Sequence, residues 1–378
     1  MEMREFRPIN WMQGMNVSSS HFIATENCIS EKIYKGVSLS QEIFSYGMLP
    51  VGRSGKGLNL FLVGREAHTK VVLKSYYGVV RGGVVISLDD QEGSRECTCG
   101  LLEEGAAEAW NVVLTVSPYD RNPCGVPDMQ EQPPRYPFVE SSYRLSLMER
   151  GRSLSDDYGE YSVVVGLLRK KDDVFVLDAN YIPPSVNLDS NEALQTLRNR
   201  FSSYLSTIRA SVSVVLGKAL EQSNKNALVC NIILVCEELF KSLASFYFDW
   251  NNISRFLSPY RSVEMLNRVP NSFLTALDFI PKSEREELLN YFKDWNGIAP
   301  SSFEQMLADS VTQTYNHNRI GESFYLLEVV FKNLQELFVS LSHLEQIGGK
   351  RRDDMVIYFS GKQSDPTNGR EGWFTSKR

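Results

Sequence analysis

The sequence lacks any segment typical of a membrane-spanning or secreted protein. No stretch approaches 18 uncharged apolar residues, and the N-terminal residues contain no apolar core of a signal peptide. The most apolar window, residues 227–248, is interrupted by Asn231, Glu237, Glu238 and Lys241, which favours a buried helix. We therefore expect no direct membrane span.

Paired cysteine motifs are also missing. The chain has 6 cysteines, and none of them forms a CxxC pair or has a histidine partner at metal-binding spacing. Cys97 and Cys99 are only two positions apart, which is too close for an easy tetrahedral site without other ligands. The pattern predicts free thiols in a reducing compartment and no structural metal.

An excess of positive charge is absent as well. Lysine and arginine number 40 against 46 acidic residues, which gives a formal net charge of -6, and no long basic run precedes the C-terminal end. A nucleic-acid-binding protein normally presents a basic face, so we expect no nucleic-acid partner.

Catalytic and cofactor motifs are not found. The four histidines, His21, His68, His317 and His343, have no metal-binding helical spacing, and there is no GxSxG motif. Residues 52–57 are glycine-rich but lack the GxxxxGK[ST] spacing of a phosphate-binding loop, so a turn between strands is the better interpretation. We predict a protein with no cofactor and no enzymatic activity.

The first half of the chain has the pattern of antiparallel β structure. Short runs rich in Val, Ile, Leu, Tyr and Phe alternate with glycine turns, without interleaved amphipathic helices, which favours a β-sandwich. The expected strands cover residues 58–63, 71–80, 84–88, 110–116, 161–168 and 174–177. Residues 117–137 contain six prolines and are predicted to form a long irregular loop, a feature that is often functional.

The periodicity changes near residue 188, where Asp189 and Ser190 are candidate helix caps. Two long helices then show apolar residues at heptad spacing. The first seam consists of Leu194, Leu197, Phe201, Leu205, Ile208, Val212, Val215 and Ala219. The second seam consists of Ile320, Phe324, Leu327, Phe331, Leu334, Phe338 and Leu341. Asn318 is the candidate cap of the second helix, and Gly348–Gly349 its candidate stop.

The seams are typical of helices that pack along their length, either within one chain or between chains. The side chains expected to pack this helical neck, and a trimer if the contact is between chains, are Leu197, Phe201, Leu205, Ile208, Phe324, Phe331 and Phe338. The sequence thus predicts an α+β protein with an antiparallel β-sandwich over residues 1–188 and a helical bundle over residues 189–349. Residues 350–378 are expected to form a short tail or a reduced head, because they are polar with one apolar run.

Three separated patches resemble one known family. Residues 11–22 contain Trp11, Gly14 and Met15 followed by His21-Phe22, similar to a W-x-E-G-M…HF opening, with Gln13 in place of the glutamate. Residues 176–184 resemble an L-D-x-x-(F/Y)-I-P-P sequence, and residues 315–318 a Y-x-H-(N/D) sequence. The patches are similar to those of the TssK family of type VI secretion baseplate subunits.

This resemblance implies a β-sandwich shoulder, a helical neck and a homotrimer. It also implies that the shoulder binds the baseplate wedge proteins TssF and TssG, and that the opposite end reaches an envelope component that the sequence does not identify. Trp11, Met15, His21 and Phe22, or the proline-rich loop, are the expected wedge contacts. The implied location is the cytoplasmic face of the inner membrane. About thirty residues follow the last helix, too few for the head domain of that family, so we expect the head to be absent or reduced to a hairpin.

An alternative from another class is a hydrolase with a β domain and a helical cap. Such an enzyme requires a concave site with perturbed titratable groups. An adaptor requires long packed helices and self-association, so the mass in solution distinguishes the two hypotheses.

Overall fold

A computed structural model describes residues 6–51, 57–64, 69–89, 95–98, 108–151, 157–171 and 174–349. Over these residues the chain forms one helix, then nine strands, then six further helices. His68, Cys99, most of the glycine-rich residues 52–57 and the whole tail, residues 350–378, lie outside the described residues.

The β structure consists of two antiparallel sheets. The strands are β1 Gly47–Met48, β2 Asn59–Val63, β3 Lys70–Val79, β4 Val85–Leu88, β5 Arg95–Thr98, β6 Ala109–Cys124, β7 Phe138–Glu149, β8 Ser162–Lys171 and β9 Val174–Leu177. In the first sheet β3 pairs with β1, β2, β4 and β5, and the second sheet has the order β7-β6-β8-β9. Alternate side chains of both sheets, among them Leu73, Ile86, Trp110 and Val163, form one buried cluster. We call residues 42–188 the sheet domain.

The proline-rich segment differs from its prediction, because part of it is strand. β6 continues through Pro118 and Pro123 to Cys124 and pairs with β7, which the sequence analysis did not identify. Its pairing with β8 already ends at Thr115, so the outer edge of residues 117–124 is free. A proline has no N–H to donate, and at a free edge none is required. A register shift between Ser117 and Asn122 accommodates the change.

The N-terminal segment contains a helix that the sequence analysis did not predict. Helix α1 spans Ser19–Ser40. The backbone N–H of Ser18 donates to Nδ1 of His21 at 3.1 Å, which is the return bond of a capping box. Cys28 is the one residue of α1 that is fully buried, so the helix lies on the surface.

Six helices form the bundle, which we define as residues 189–349. They are α2 Glu192–Glu221, α3 Ala227–Ile253, α4 Pro259–Asp278, α5 Lys282–Asn296, α6 Pro300–Thr312 and α7 Ile320–Ser342. The prediction of an α+β chain with antiparallel sheets followed by long helices is confirmed. Among the described residues no helix is both long and apolar enough to cross a membrane.

Helix ends lie within a few residues of the predicted positions but use other groups. Asn191, not Asp189 or Ser190, caps α2 by accepting a hydrogen bond from the backbone N–H of Ala193. Helix α7 begins after a short 3-10 turn, His317–Arg319, and ends at Ser342, before the predicted glycine stop. At that end Nζ of Lys218 donates to the carbonyl oxygens of Ser342 and Leu344, both at 2.7 Å. A cation at this position stabilises the C-terminal end of a helix.

Both heptad seams lie inside the bundle of a single chain. Phe201 is completely buried, and its ring centroid lies 5.9 Å from that of Phe324 and 5.3 Å from that of Phe331. Of the other side chains that were expected to pack the neck, Leu205, Ile208 and Phe338 are buried, and Leu197 is partly buried against them. Because these side chains already contact their own chain, a contact between chains would have to use other residues.

Candidate interaction surfaces

The predicted partner patch forms a small aromatic cluster at the start of α1. The Trp11 ring lies 6.1 Å from the ring of His21 and 6.3 Å from that of Phe22. Trp11 is 51% exposed and Phe22 57% exposed, while Met15 is half-buried. The structure therefore brings three of the four predicted residues together on the surface.

An apolar stripe continues this cluster along α1. Phe22, Ile29 and Ile33 are all exposed, and their spacings of seven and four residues place them on one face of the helix. Glu31 lies on the opposite side of the helix. A hydrogen bond with Lys35 lowers the pKa of its carboxyl group, and this effect is larger than the opposing effect of burial. We call Phe22, Ile29 and Ile33 the α1 stripe.

A second exposed apolar surface is the hairpin that extends beyond the second sheet. We call residues 117–142 the arm, because β6 and β7 continue to pair there after β8 has ended. Its exposed large apolar side chains are Val126, Met129, Tyr136, Phe138 and Val139.

The arm and α1 are in direct contact. Glu26 of α1 forms an ion pair with Arg121 at 2.7 Å. The ring of Tyr119 lies 4.6 Å from Phe6 and 6.3 Å from Tyr34 of α1. Burial raises the pKa of the Tyr119 hydroxyl. The two candidate regions, the N-terminal patch and the proline-rich segment, therefore belong to one composite surface.

The other two family-like patches meet at the junction between the sheet domain and the bundle. Residues 181–184 leave β9, and the Tyr181 hydroxyl donates to the carbonyl oxygen of Asn318 at 3.1 Å. Next to it, Nε2 of His317 lies 2.9 Å from the carbonyl oxygen of Tyr46, and Nδ1 lies 2.8 Å from the Tyr315 hydroxyl. These patches are thus structural contacts between the domains.

The His317 side chain is held in its neutral form. The ring is 2% exposed, and burial, which is the main cause, lowers its pKa to about 4. Burial also raises the pKa of Tyr46 to about 12. A single tautomer satisfies both contacts of His317, with Nε2–H donating to Tyr46 and Nδ1 accepting from Tyr315.

A crevice of about 1170 Å³ separates the rest of the two domains. Its charged lining groups are mostly paired, since Arg169 donates to Asp178 at 2.7 Å and Arg200 pairs with Glu328. Burial alone would raise the pKa of Asp178, but the Arg169 hydrogen bond and further favourable contacts outweigh it and lower the pKa. The described residues contain no group of three His, Cys, Asp or Glu side chains that could hold a metal ion. The five cysteines in the described part of the chain are free thiols.

Comparison with known proteins finds matches to the fold of this chain but none to its sequence. No family model and no curated protein matches the sequence. Solved structures do match. A crystal structure of TssK has a TM-score of 0.52 at 15% identity, covering 87% of this chain and 69% of that chain. The chain has a TssK-like fold.

Two assemblies contain further TssK-like matches. A chain of the type VI secretion baseplate complex has a TM-score of 0.54 at 12% identity, and the match covers 88% of this chain and 100% of that chain. A chain of the TssK-TssF-TssG baseplate subcomplex has a TM-score of 0.50 at 12% identity, with 88% of this chain and 99% of that chain covered. At such low sequence identities, these structural matches establish a similar fold and nothing more.

The sequence analysis missed the α1 stripe and the course of the arm. A usable signal existed for the stripe, because the spacing of Phe22, Ile29 and Ile33 is helical rather than alternating. Strand β7 also had a signal in the alternation of Tyr143, Leu145 and Leu147. The contact of Tyr46 with His317 had none, because 271 residues separate the two positions.

Proposed function

We propose that this chain is a structural subunit of a type VI secretion baseplate, of the TssK kind. The observation that carries the proposal is the match to a chain of the baseplate complex over 88% of this chain and 100% of that one. The alternative of a hydrolase with a helical cap has no support from the structures that the fold resembles.

The proposed contact with the wedge uses the composite surface of α1 and the arm. Both elements carry several exposed large apolar side chains, and groups of such side chains mark sites of protein–protein contact. A chain of the TssK-TssF-TssG subcomplex has a similar fold, and we infer that proteins of the TssF and TssG kind bind here.

Self-association as a homotrimer is the second part of the proposal. Because the seams are filled, the contact would use the outer face of α2. Ser203, Ser206, Ala210 and Ser213 are exposed there, followed by half-buried Gly217, at spacings of three and four residues. Small uncharged side chains at heptad spacing allow helices of neighbouring chains to approach closely.

The opposite end of the bundle is the proposed side of the envelope complex. Helix α2 has 30 residues, so it is about 45 Å long, and its far end contacts the end of the described chain. There Nε2 of Gln222 donates to the carbonyl oxygen of Ile347 at 3.2 Å. The described chain therefore ends beside the far end of α2, and we infer an envelope contact there, at the cytoplasmic face of the inner membrane.

Co-purification tests the proposal directly. The full chain, mixed with TssF and TssG from the same secretion system, should elute with them as one complex. Light scattering of the chain alone should give about three times its mass of 43.0 kDa. A strictly monomeric chain that captures neither protein would contradict the baseplate assignment.

A further inference from the structure

The segment that follows α1 runs between the two domains and contacts the bundle with every second residue. We call residues 42–48 the strap. Glu42, Phe44, Tyr46 and Met48 all reach bundle residues or the linker that leads to them, after a turn in which the Ser45 N–H donates to the Glu42 carbonyl oxygen at 2.9 Å. Their partners are, in the same order, Arg261, the pair Tyr260 and Tyr315, His317, and Ser185.

Phe44 occupies an aromatic socket on the bundle. Its ring centroid lies 4.9 Å from that of Tyr260 and 5.0 Å from that of Tyr315, and these two tyrosines are 5.3 Å apart. Aromatic rings at these separations attract one another beyond the burial of their area. The socket is therefore the main apolar contact of the strap with the helices.

The end of the strap is joined to the interdomain linker by backbone hydrogen bonds. The N–H of Met48 donates to the carbonyl oxygen of Pro184 at 2.7 Å, and the N–H of Val186 donates to that of Met48 at 2.9 Å. Gly47 has a φ of 108°, and a Cβ at this position would overlap the carbonyl group of Pro184. Only glycine permits this approach, so the backbone joint depends on it.

The crevice lies along the same linker. It is lined by Ile182 and Pro183 of the linker, by Gly166 of β8 and by Phe324 of α7, and Met48 is the only strap residue that reaches it. The two domains are packed through the strap and through two further contacts, Tyr181 with Asn318 and Arg150 with Glu322, while the space beside the linker is open. The N–H groups of Leu188 and Asp189 are already bonded to the bundle, so a rotation of the domains after release of the strap would take place about residues 183–187.

We propose that the strap is a releasable latch that fixes the sheet domain on the bundle. In the closed state Phe44 is in its socket and Tyr46 accepts the hydrogen bond from His317. In the open state both contacts are lost and the linker acts as a hinge.

Amide hydrogen exchange measures the opening of the latch directly, because the N–H groups of Met48 and Val186 donate the two hydrogen bonds between strap and linker. Phe44→Ala should speed exchange in peptides containing these amides at least tenfold, and small-angle scattering should show a larger radius of gyration. Peptides of β6 and α2 should exchange at wild-type rates. Phe248→Ala is the matched control, because Phe248 is 74% exposed on α3, and it should change none of these values.

A milder variant keeps the test decisive if Phe44→Ala does not fold. Tyr315→Phe removes only the hydroxyl that His317 contacts, and it should speed exchange of the same two peptides about threefold. Unchanged exchange in a folded Phe44→Ala variant would overturn the proposal. So would a uniform rise across the whole chain, because the strap would then be an ordinary part of one cooperative unit. No baseplate component enters the experiment, so its outcome is independent of the proposed function.

Discussion

The surface of α1 and the interior of the bundle show the same sequence pattern with opposite outcomes. In the bundle, Phe324 and Phe331 repeat at helical spacing along α7 and are buried. On α1, Phe22 and Ile29 also repeat at helical spacing, yet both are more than half exposed. Periodicity therefore identifies a helix and its apolar face, but the neighbouring elements decide whether that face is core or contact surface.

The contrast is sharpest for a charge placed on each stripe. Phe201→Asp would bury an unpaired carboxylate among aromatic rings, and we expect a loss of more than about 5 kcal/mol and no folded protein. Phe22→Asp should change the free energy of unfolding by less than about 0.5 kcal/mol, because its ring is exposed. Denaturant unfolding of both variants measures the difference. If the Phe201→Asp protein folds and loses only its self-association, the seam is an interface between chains.

The boundary between the two regions should respond to acid through His317. The folded pKa of about 4 lies below the ordinary value of 6.5, so below pH 6.5 the unfolded chain binds a proton that the folded chain does not. Stability is therefore complete above about pH 7 and falls as the pH drops towards 4, by about 3 kcal/mol from this group.

The control for this titration is His317→Gln, which should be less stable at pH 7 but should show a flatter decline between pH 6.5 and 4.5. The neighbouring titratable groups are Tyr46, Tyr260, Tyr315, Arg81 and Asp157. Of these only Asp157 is a carboxyl group, and its pKa is lowered, by the Gly159 backbone N–H and by Arg81 against the opposing effect of burial. Equal slopes for the two proteins would show that His317 is not the sensor.

The small residues on the outer face of α2 form a third stripe. A substitution in this stripe tests self-association. Ala210→Arg should weaken the proposed trimer at least tenfold, because a long charged side chain prevents close approach of the helices. Ala244→Arg makes the same change at an exposed position of α3 and should leave the mass in solution unchanged. Sedimentation over a concentration series distinguishes the two variants. A trimer that survives Ala210→Arg would exclude this face.

The smallest expected effect is on wedge capture by the α1 stripe. Ile29→Asp should reduce binding of TssF and TssG about tenfold, which corresponds to about 1.4 kcal/mol. Thermal unfolding should be nearly unchanged. Phe248→Asp places the same charge on an exposed apolar site of the bundle and should bind normally in the same pull-down. Equal binding by both variants would move the wedge contact away from α1.

Local signals in the sequence predicted most of the fold. Strand β9 was predicted to the residue, and α3 was recognised from its apolar window despite Glu237 and Glu238. The errors occurred where tertiary context overrides a local rule. Pro118 and Pro123 indicated a loop, but an overhanging edge tolerates them.

The candidate surfaces were predictable only in part. Trp11 and Phe22 were singled out by resemblance, and the structure groups them on an exposed helix. The arm contacts α1 and the residues before it through the ion pair of Glu26 with Arg121 and the ring contact of Phe6 with Tyr119. Both contacts join distant parts of the chain. Neither contact follows from any spacing in the sequence.

The contact of Tyr46 with His317 also has a consequence for synthesis of the chain. Because 271 residues separate the two groups, a ribosome adding about 5–20 residues per second needs about 15–50 s to deliver the histidine after the tyrosine. Until Tyr260 is made, for most of that interval, the Phe44 side chain has neither of its tyrosine partners and is open to proteases or chaperones. Nascent chains arrested at residue 250 should accordingly be cleaved near residues 42–48, whereas released full-length chains should resist cleavage there.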